Sequence, residues 1–139
     1  LPELRRRLDR PEPRVELGLA MRSMAHAAID LSDGLAGDLR HVLAACGVGA
    51  TIEVQRLPAS EALLRGATQP LQRMDYQLRG GDDYELCLCL PGDRLQALQA
   101  VCGLPLTRIG TVTAEPGLHW VDAAGATLSI PEHAYRHFE

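Results

Sequence analysis

An otherwise small and apolar run, residues 27–43, carries several acidic side chains and a serine. Asp30 closes a predicted strand, Asp33 begins the helix that follows, and Gly34 permits a tight turn between the two elements. Carboxylate oxygens are ligands that Mg²⁺ prefers, and a helix N-terminus attracts phosphate. The junction therefore predicts a site for metal-bridged phosphates, in which Asp30 and Asp33 bind metal while Ser32 and backbone amides contact phosphate oxygens.

A purely structural interpretation of the same junction stays open. Ser32 or Asp33 would then cap the helix, and Asp30 would accept hydrogen bonds from nearby backbone amides. A pattern of this length supports a hypothesis and no more.

A second acidic cluster follows a pair of glycines in the stretch GGDDYE, residues 80–85. Gly80 and Gly81 allow the backbone to approach a ligand closely or to turn with a positive φ. The adjacent carboxylates of Asp82 and Asp83 repel each other unless a cation or a hydrogen-bond donor lies beside them. The cluster therefore predicts either a ligand-binding loop or a solvated turn that starts a strand.

The helix after the first acidic motif is predicted from apolar residues at helical spacing, namely Leu35, Ala36, Leu39, Val42, Leu43 and Cys46. Asp38, Arg40 and His41 are expected to lie mostly away from this apolar face. Gly47 is the natural residue to end the helix in a left-handed conformation.

The rest of the chain alternates short helices and strands. Further helices are predicted over 14–24, 59–67 and 93–101, the last two capped by Ser60 and Asp93. Strands are predicted over 25–31, 48–55, 84–90, 106–113, 117–123 and 126–130, the last three forming a meander. This order predicts an α+β domain of two layers, with helices on one face of a mostly antiparallel or mixed sheet.

Bulk composition excludes several classes of function. The 139 residues suffice for one domain with a core, and the net charge of −4 argues against a nucleic-acid surface. No apolar run reaches the length of a membrane span, and the first residues lack the pattern of a secretory signal. Because the chain starts at Leu1 with a segment typical of the middle of a protein, we expect a fragment of a longer protein.

The cysteines and histidines lack the spacing of a redox or zinc site. Cys46, Cys87, Cys89 and Cys102 are expected to be small buried hydrophobes in a reducing cytoplasm. The run 5–7, three arginines, is interpreted as a solvated helix face, with a phosphate contact as the alternative.

Five stretches, AHAAIDLSDGLAGDL, GVGATIEV, GGDDYEL, RIGTV and AYRHF, occur in an order and spacing typical of one enzyme family. From about Pro11 to Phe138 the chain resembles the C-terminal half of the thiamine-monophosphate kinase family, in the aminoimidazole-ribonucleotide synthetase superfamily. The resemblance implies phosphoryl transfer from ATP to thiamine monophosphate, with Mg²⁺ bridging the phosphates. It also implies a missing N-terminal ATP-binding domain, a cytoplasmic homodimer for the full enzyme, and no activity for this chain alone.

Matched residue by residue, the resemblance assigns Asp30 and Asp33 as Mg²⁺ ligands and Ser32 as a contact to a nucleotide phosphate. Asp82 stands where the family usually has Glu, and it is expected to contact the substrate with a shorter reach. Tyr135 is expected to lie against the thiamine moiety. The other aspartates of these motifs receive supporting or capping roles: Asp38 and Asp83.

Two alternative functions stay open. A sibling enzyme of the superfamily would act on another phosphate acceptor, and a non-catalytic module would bind a ligand or metal with the same fold. A substrate screen of the longer parent protein addresses the first alternative. Acidic and glycine-rich motifs upstream of this chain bear on the second, because their absence would favour a binding module.

Overall fold

The computed structural model describes residues 2–130, so Tyr135 lies outside the described residues. The elements follow in the order α1 (Pro2–Asp9), α2 (Val15–Met21), β1 (Ala27–Asp30), α3 (Leu35–Cys46), β2 (Gly49–Glu53), α4 (Glu61–Gly66), α5 (Pro70–Arg79), β3 (Leu86–Cys89), α6 (Leu95–Cys102), β4 (Gly110–Thr113), β5 (Gly117–Val121) and β6 (Thr127–Leu128). Within 2–130, none of these helices is both long and apolar enough to cross a membrane. The mixture of helices and short strands confirms the predicted α+β class.

The described strands form two sheets. β1 pairs with β3 in antiparallel orientation, with Ala27 opposite Cys89 and Asp30 opposite Leu86. The other sheet has the order β4-β2-β5-β6, in which β2 runs antiparallel to β4 and parallel to β5. The predicted C-terminal meander is therefore wrong for β4 and β5, because β2 lies between them. It is confirmed for β5 and β6, which pair in antiparallel orientation.

The predicted apolar face of α3 lies in the hydrophobic core. Its buried apolar residues are Leu35, Ala36, Leu39 and Leu43. They belong to one packed cluster with Ile52 of β2, Leu78 of α5 and Trp120 of β5. Burying each large apolar side chain of this kind stabilises a fold by about 1.5–3 kcal/mol. The core therefore fixes α3 against both α5 and the four-stranded sheet.

The two ends of α3 differ in how well they match the prediction. Gly47 ends the helix in the expected left-handed conformation, with φ 66°. At the other end, Gly34 is the N-cap residue. The prediction that Ser32 or Asp33 occupies the N-cap position is therefore wrong.

Of the other two predicted helix caps, one is confirmed and one is wrong. Ser60 caps α4 as predicted, because its Oγ accepts a hydrogen bond from the amide of Leu63 at 3.1 Å. The cap by Asp93 is wrong, since a 3₁₀ turn at Gly92–Arg94 precedes α6 and makes Arg94 the N-cap residue without a side-chain bond.

The cysteines are less buried than expected. Cys46, the last residue of α3, is exposed, and Cys87, Cys89 and Cys102 are half-buried. Burial raises the pKa of the Cys87 thiol to about 11, with smaller contributions from the charges of Cys89 and Asp38. The Cys87 thiol is therefore protonated at neutral pH and behaves as an apolar group.

Candidate functional site

Two acidic loops lie side by side because the strands next to them pair. The first acidic loop, residues 30–34, begins at the last residue of β1, and the second acidic loop, residues 80–85, leads into β3. Asp30 stands opposite Leu86 in the antiparallel pair, so the end of one strand meets the start of the other. The topology thus brings two motifs that are far apart in sequence to one end of the β1–β3 sheet.

Backbone hydrogen bonds hold the loops against each other. The amide of Asp82 donates to the carbonyl oxygen of Ser32 at 2.9 Å, and the amide of Tyr84 donates to that of Leu31 at 2.8 Å. In return, the amide of Leu31 donates to the carbonyl oxygen of Glu85 at 2.9 Å. These bonds extend the antiparallel pairing beyond the strand ends. A displacement of one loop therefore displaces the other.

Gly34 turns the chain from the first acidic loop into α3. Its φ of 101° and ψ of 151° lie in a region that is essentially restricted to glycine. A Cβ at this position would stand 2.9 Å from the Cα and the carbonyl carbon of Arg79, the last residue of α5. Conformation and close packing both explain why glycine is needed at the predicted turn.

Asp38 binds the first acidic loop from within the fold. The residue is only 4% exposed, so the expectation that it lies away from the apolar face of α3 is wrong. Its Oδ2 accepts hydrogen bonds from the amides of Ser32 at 2.9 Å and Asp33 at 3.0 Å. Helical side chains lean towards the N-terminus, which lets Asp38 reach back to these amides. Both amides therefore already have a hydrogen-bond acceptor within the fold.

The two glycines of the second acidic loop serve close packing and not a left-handed turn. Neither Gly80 nor Gly81 has a positive φ. A Cβ on Gly80 would collide with the carbonyl oxygen of Tyr76, and a Cβ on Gly81 would stand 2.8 Å from the carbonyl oxygen of Ser32. The glycines therefore let this loop lie directly on α5 and on the first acidic loop.

Two non-glycine residues of the second acidic loop adopt the left-handed backbone conformation. Asp82 has φ 62° and Tyr84 has φ 50°. A non-glycine residue in this conformation is uncommon and costs about 1–3 kcal/mol when strained. Both residues are exposed, and the Tyr84 hydroxyl donates to Oδ1 of Asp82 at 3.4 Å. The surrounding contacts must therefore hold the backbone that carries Asp82.

Glu85, at the end of the second acidic loop, is held by two arginines. Arg14 donates from Nε to Oε2 at 2.8 Å and from Nη2 to Oε1 at 2.6 Å, which makes a bidentate pair. Arg7 donates from Nη2 to the same Oε1 at 2.6 Å. The interpretation of 5–7 as a solvated face is therefore wrong for Arg7. We call Arg7, Arg14 and Glu85 the Glu85 clamp.

The pKa values of Glu85, Arg14 and the neighbouring Asp83 are shifted. Hydrogen bonding from Arg14 lowers the pKa of Glu85, although partial burial opposes this, and the same bond raises the pKa of Arg14. Burial raises the pKa of Asp83, and the charge of Glu85 raises it further. The loop thus holds one strongly ionised carboxylate beside another that binds its proton more readily.

The donor set of the two loops consists of hard oxygens. Asp30 and Asp82 are exposed, and Ser32 and Asp33 are half-buried. Within residues 2–130, no three Asp, Glu, His or Cys side chains come together as a group that could hold a metal ion. Mg²⁺ is commonly bound by one or two carboxylates together with water and phosphate oxygens. Asp30 and Asp33 supply carboxylates of the chemical type that such a coordination shell uses.

Comparison with protein families and curated proteins gives consistent matches. The family model for AIR synthase related protein, C-terminal domain, matches residues 5–122. Thiamine-monophosphate kinase of Salmonella typhimurium is 41% identical over 133 residues, which cover 93% of this chain and 40% of that protein. The enzyme of the same name from Haemophilus influenzae is 40% identical over 117 residues, covering 82% and 35%. This chain spans about two fifths of the length of these curated relatives.

Solved structures show the same similarity in three dimensions. A crystal structure of thiamine-monophosphate kinase from Stenotrophomonas maltophilia K279a has 47% identity and a TM-score of 0.79, covering 85% of this chain and 38% of that one. AaThiL complexed with AMPPCP and TMP has 28% identity and a TM-score of 0.80, covering 98% and 41%. The similarities confirm the resemblance and the α+β fold expected from it.

Proposed function

The chain belongs to the family of AIR synthase related proteins, C-terminal domain, and from this membership we propose that it forms the C-terminal part of a thiamine-monophosphate kinase. The proposed reaction transfers the γ-phosphoryl group of ATP to thiamine monophosphate and yields ADP and thiamine diphosphate. The names of the curated relatives support this activity. A relative whose structure holds AMPPCP and TMP supports the substrates, with AMPPCP taken as an analogue of ATP and TMP as thiamine monophosphate.

One observation carries the proposal: the backbone of the second acidic loop is hydrogen-bonded to that of the first. The amides of Asp82 and Tyr84 donate to carbonyl oxygens of Ser32 and Leu31. Both motifs named by the family resemblance thus occupy one edge of the molecule. Joint action on a single pair of phosphates requires this placement.

Phosphoryl transfer depends mainly on positioning and charge neutralisation, and each proposed residue has a role of that kind. Asp30 and Asp33 would hold Mg²⁺, which when bound neutralises phosphate charge. The hydroxyl of Ser32 contacts a nucleotide phosphate, since its amide already bonds Asp38. Asp82 contacts the substrate. The attacking phosphate oxygen is anionic near neutral pH, so none of these residues needs to act as a strong base.

The remaining parts of the proposal concern the longer enzyme. Tyr135, outside the described residues, would lie against the thiamine moiety. An N-terminal domain would supply most of the nucleotide pocket and further metal ligands. We include in the proposal a cytoplasmic location and a homodimeric full-length enzyme. Because the site would be shared between domains, this chain alone is expected to bind without turnover.

Calorimetric titration of thiamine monophosphate into the 139-residue chain, with Mg²⁺ and AMPPCP present, tests the proposal. We expect saturable binding that weakens about tenfold or more in Asp30→Asn or Asp33→Asn, a loss typical of groups that hold or orient a metal. Asp93→Asn is the matched control, because Asp93 is exposed in the turn before α6.

Equal heats in the parent chain and in the Asp30→Asn and Asp33→Asn variants would remove these aspartates from the ligand set. Efficient formation of thiamine diphosphate by the chain alone, with ATP in place of AMPPCP, would contradict the shared site. A chain that binds other phosphate monoesters equally well would favour a sibling activity.

A further inference from the structure

We infer that Arg14, assisted by Arg7, is a positioning residue that holds the second acidic loop in its binding conformation through Glu85. The inference rests on the proposed function and deepens it. It links the segment that precedes β1 to the loop that would contact the substrate. Neither arginine is hydrogen-bonded to Asp82, so their effect on Asp82 passes through Glu85.

The geometry of the Glu85 clamp is that of a strong anchor. Both carboxylate oxygens of Glu85 receive guanidinium donors at 2.6 to 2.8 Å. The side chains of Arg14 and Arg7 are 20% and 30% exposed, less than most ion-paired arginines of the described chain. A bidentate guanidinium–carboxylate pair fixes orientation as well as distance. The clamp therefore sets both the position and the direction of the chain at Glu85.

The loop requires such an anchor because of its backbone conformation. Asp82 and Tyr84 both have positive φ, and residues of this kind keep that conformation only when their surroundings enforce it. On one side, Gly81 packs against the carbonyl oxygen of Ser32. On the other side, Glu85 is held by the clamp and by the hydrogen bond from the amide of Leu31. The strained residues thus lie between two fixed points.

Amide hydrogen exchange and substrate titration on the same variants test the inference. Arg14→Met removes the bidentate pair but keeps the aliphatic stem, and we expect the amides of Asp82 and Tyr84 to exchange about tenfold faster, as local opening becomes easier. The amide of Ile52, in the core strand β2, serves as the internal reference for global unfolding. Arg56→Met is the matched control, because it breaks the exposed Arg56–Glu53 pair.

Affinity for thiamine monophosphate, with Mg²⁺ and AMPPCP present, is the second readout. We expect it to fall about tenfold in Arg14→Met, because Asp82 is then less well positioned. It should recover partly in Arg14→Lys, which keeps the charge but not the fork. The control Arg56→Met should keep the parent affinity. If Arg14→Met does not fold, the same two measurements are made on Arg14→Lys and Glu85→Gln.

Unchanged exchange at Asp82 and Tyr84 would overturn the inference, because the clamp would then not hold the loop. Faster exchange with unchanged affinity, in a parent chain that binds thiamine monophosphate, would also overturn it. A parent chain that binds no thiamine monophosphate would instead refute the proposed function. The exchange result would still decide whether the clamp holds the loop.

Discussion

At the scale of single residues, Asp38 has the largest effect on what the first acidic loop can do. One oxygen of its buried carboxylate accepts hydrogen bonds from two backbone amides. Hydrogen bonds to an ionised acceptor are stronger than those between neutral groups. Asp38 therefore fixes the backbone of Ser32 and Asp33 in advance, and it leaves their side chains as the groups that can act on a ligand.

Replacing Asp38 should reveal this role in the stability of the fold. We expect Asp38→Ala to lower the free energy of unfolding by about 2–4 kcal/mol, because two amides lose their acceptor. Asp38→Asn can present an oxygen to the same amides and should lose about 1–2 kcal/mol. Urea denaturation monitored by circular dichroism measures both values.

Asp93→Ala is the control for Asp38→Ala, because Asp93 is exposed and should change the stability by no more than about 0.5 kcal/mol. A stability of Asp38→Ala equal to that of the parent chain would contradict the role of the carboxylate. Equal losses in the Ala and Asn variants would show that the negative charge, and not the acceptor geometry, supports the loop.

Residue types and spacing predicted the candidate site residues in both acidic loops, but not the residues that hold these loops in place. Carboxylates beside glycines at a strand–helix junction are a local signal. Asp38 was placed on the wrong side of its helix, since the helical pattern ignores how far a side chain leans towards the N-terminus. The arginine run 5–7 was noted, but no local pattern indicated that Arg7 or Arg14 would bind Glu85, which is 78 and 71 positions away.

At the scale of elements, the pairing of β1 with β3 creates the site. Each strand was predicted from its own apolar pattern, whereas their pairing is a tertiary property that no local pattern contains. The same limit explains the wrong meander, in which β2 takes the place between β4 and β5. Helix α5 was not predicted, although Leu78 is buried and Gly34 packs against its last residue.

The contact between α5 and the turn at Gly34 can be tested directly. Gly34→Ala should lower the free energy of unfolding by about 2–4 kcal/mol, from an unfavourable φ and from overlap with the backbone of Arg79. Thermal or urea unfolding measures the loss. Gly18→Ala in α2 is the matched control, because a Cβ there meets no atom within 4 Å.

Alanine at Gly18 should leave the stability unchanged or raise it by up to about 1 kcal/mol, since alanine is the better helix former. The comparison separates the general effect of alanine from the effect of the turn. If Gly34→Ala were as stable as the parent, the close packing of this turn on α5 would not matter for the fold.

At the scale of the whole molecule, three segments far apart in sequence meet at one edge. The N-terminal segment supplies Arg7 and Arg14, the first acidic loop follows β1, and the second leads through Glu85 into β3. Chain length and composition predicted one domain with a core, and the order of the predicted helices and strands predicted its α+β class. The meeting of the three segments depends on the pairing of β1 with β3 and on the bonds of Arg7 and Arg14 to Glu85. Composition specifies neither of these long-range contacts.

The pH dependence of the unfolding free energy should report the long-range pairing of Glu85 with Arg14. The folded-state pKa of Glu85 lies below its unfolded value, because Arg14 donates to the carboxylate. Its contribution is therefore complete above the unfolded pKa of about 4.3 and is lost as the pH falls through the folded value. The effect of Asp83 on stability has the opposite pH dependence. Because the pKa of Asp83 is raised in the folded chain, its contribution to stability is present at low pH and is lost as the pH rises through the folded-state pKa.

The difference in unfolding free energy between the parent chain and Glu85→Gln isolates the Glu85 contribution. We expect this difference to be largest at neutral pH and to shrink as the pH falls below about 4.3, where the carboxylate is protonated in the unfolded chain. Repeating the comparison in an Arg14→Met background should abolish most of the pH dependence, because Arg14 is the main cause of the lowered pKa. A difference that stays constant with pH, or one that survives unchanged without Arg14, would show that the N-terminal segment does not stabilise the fold through this pair.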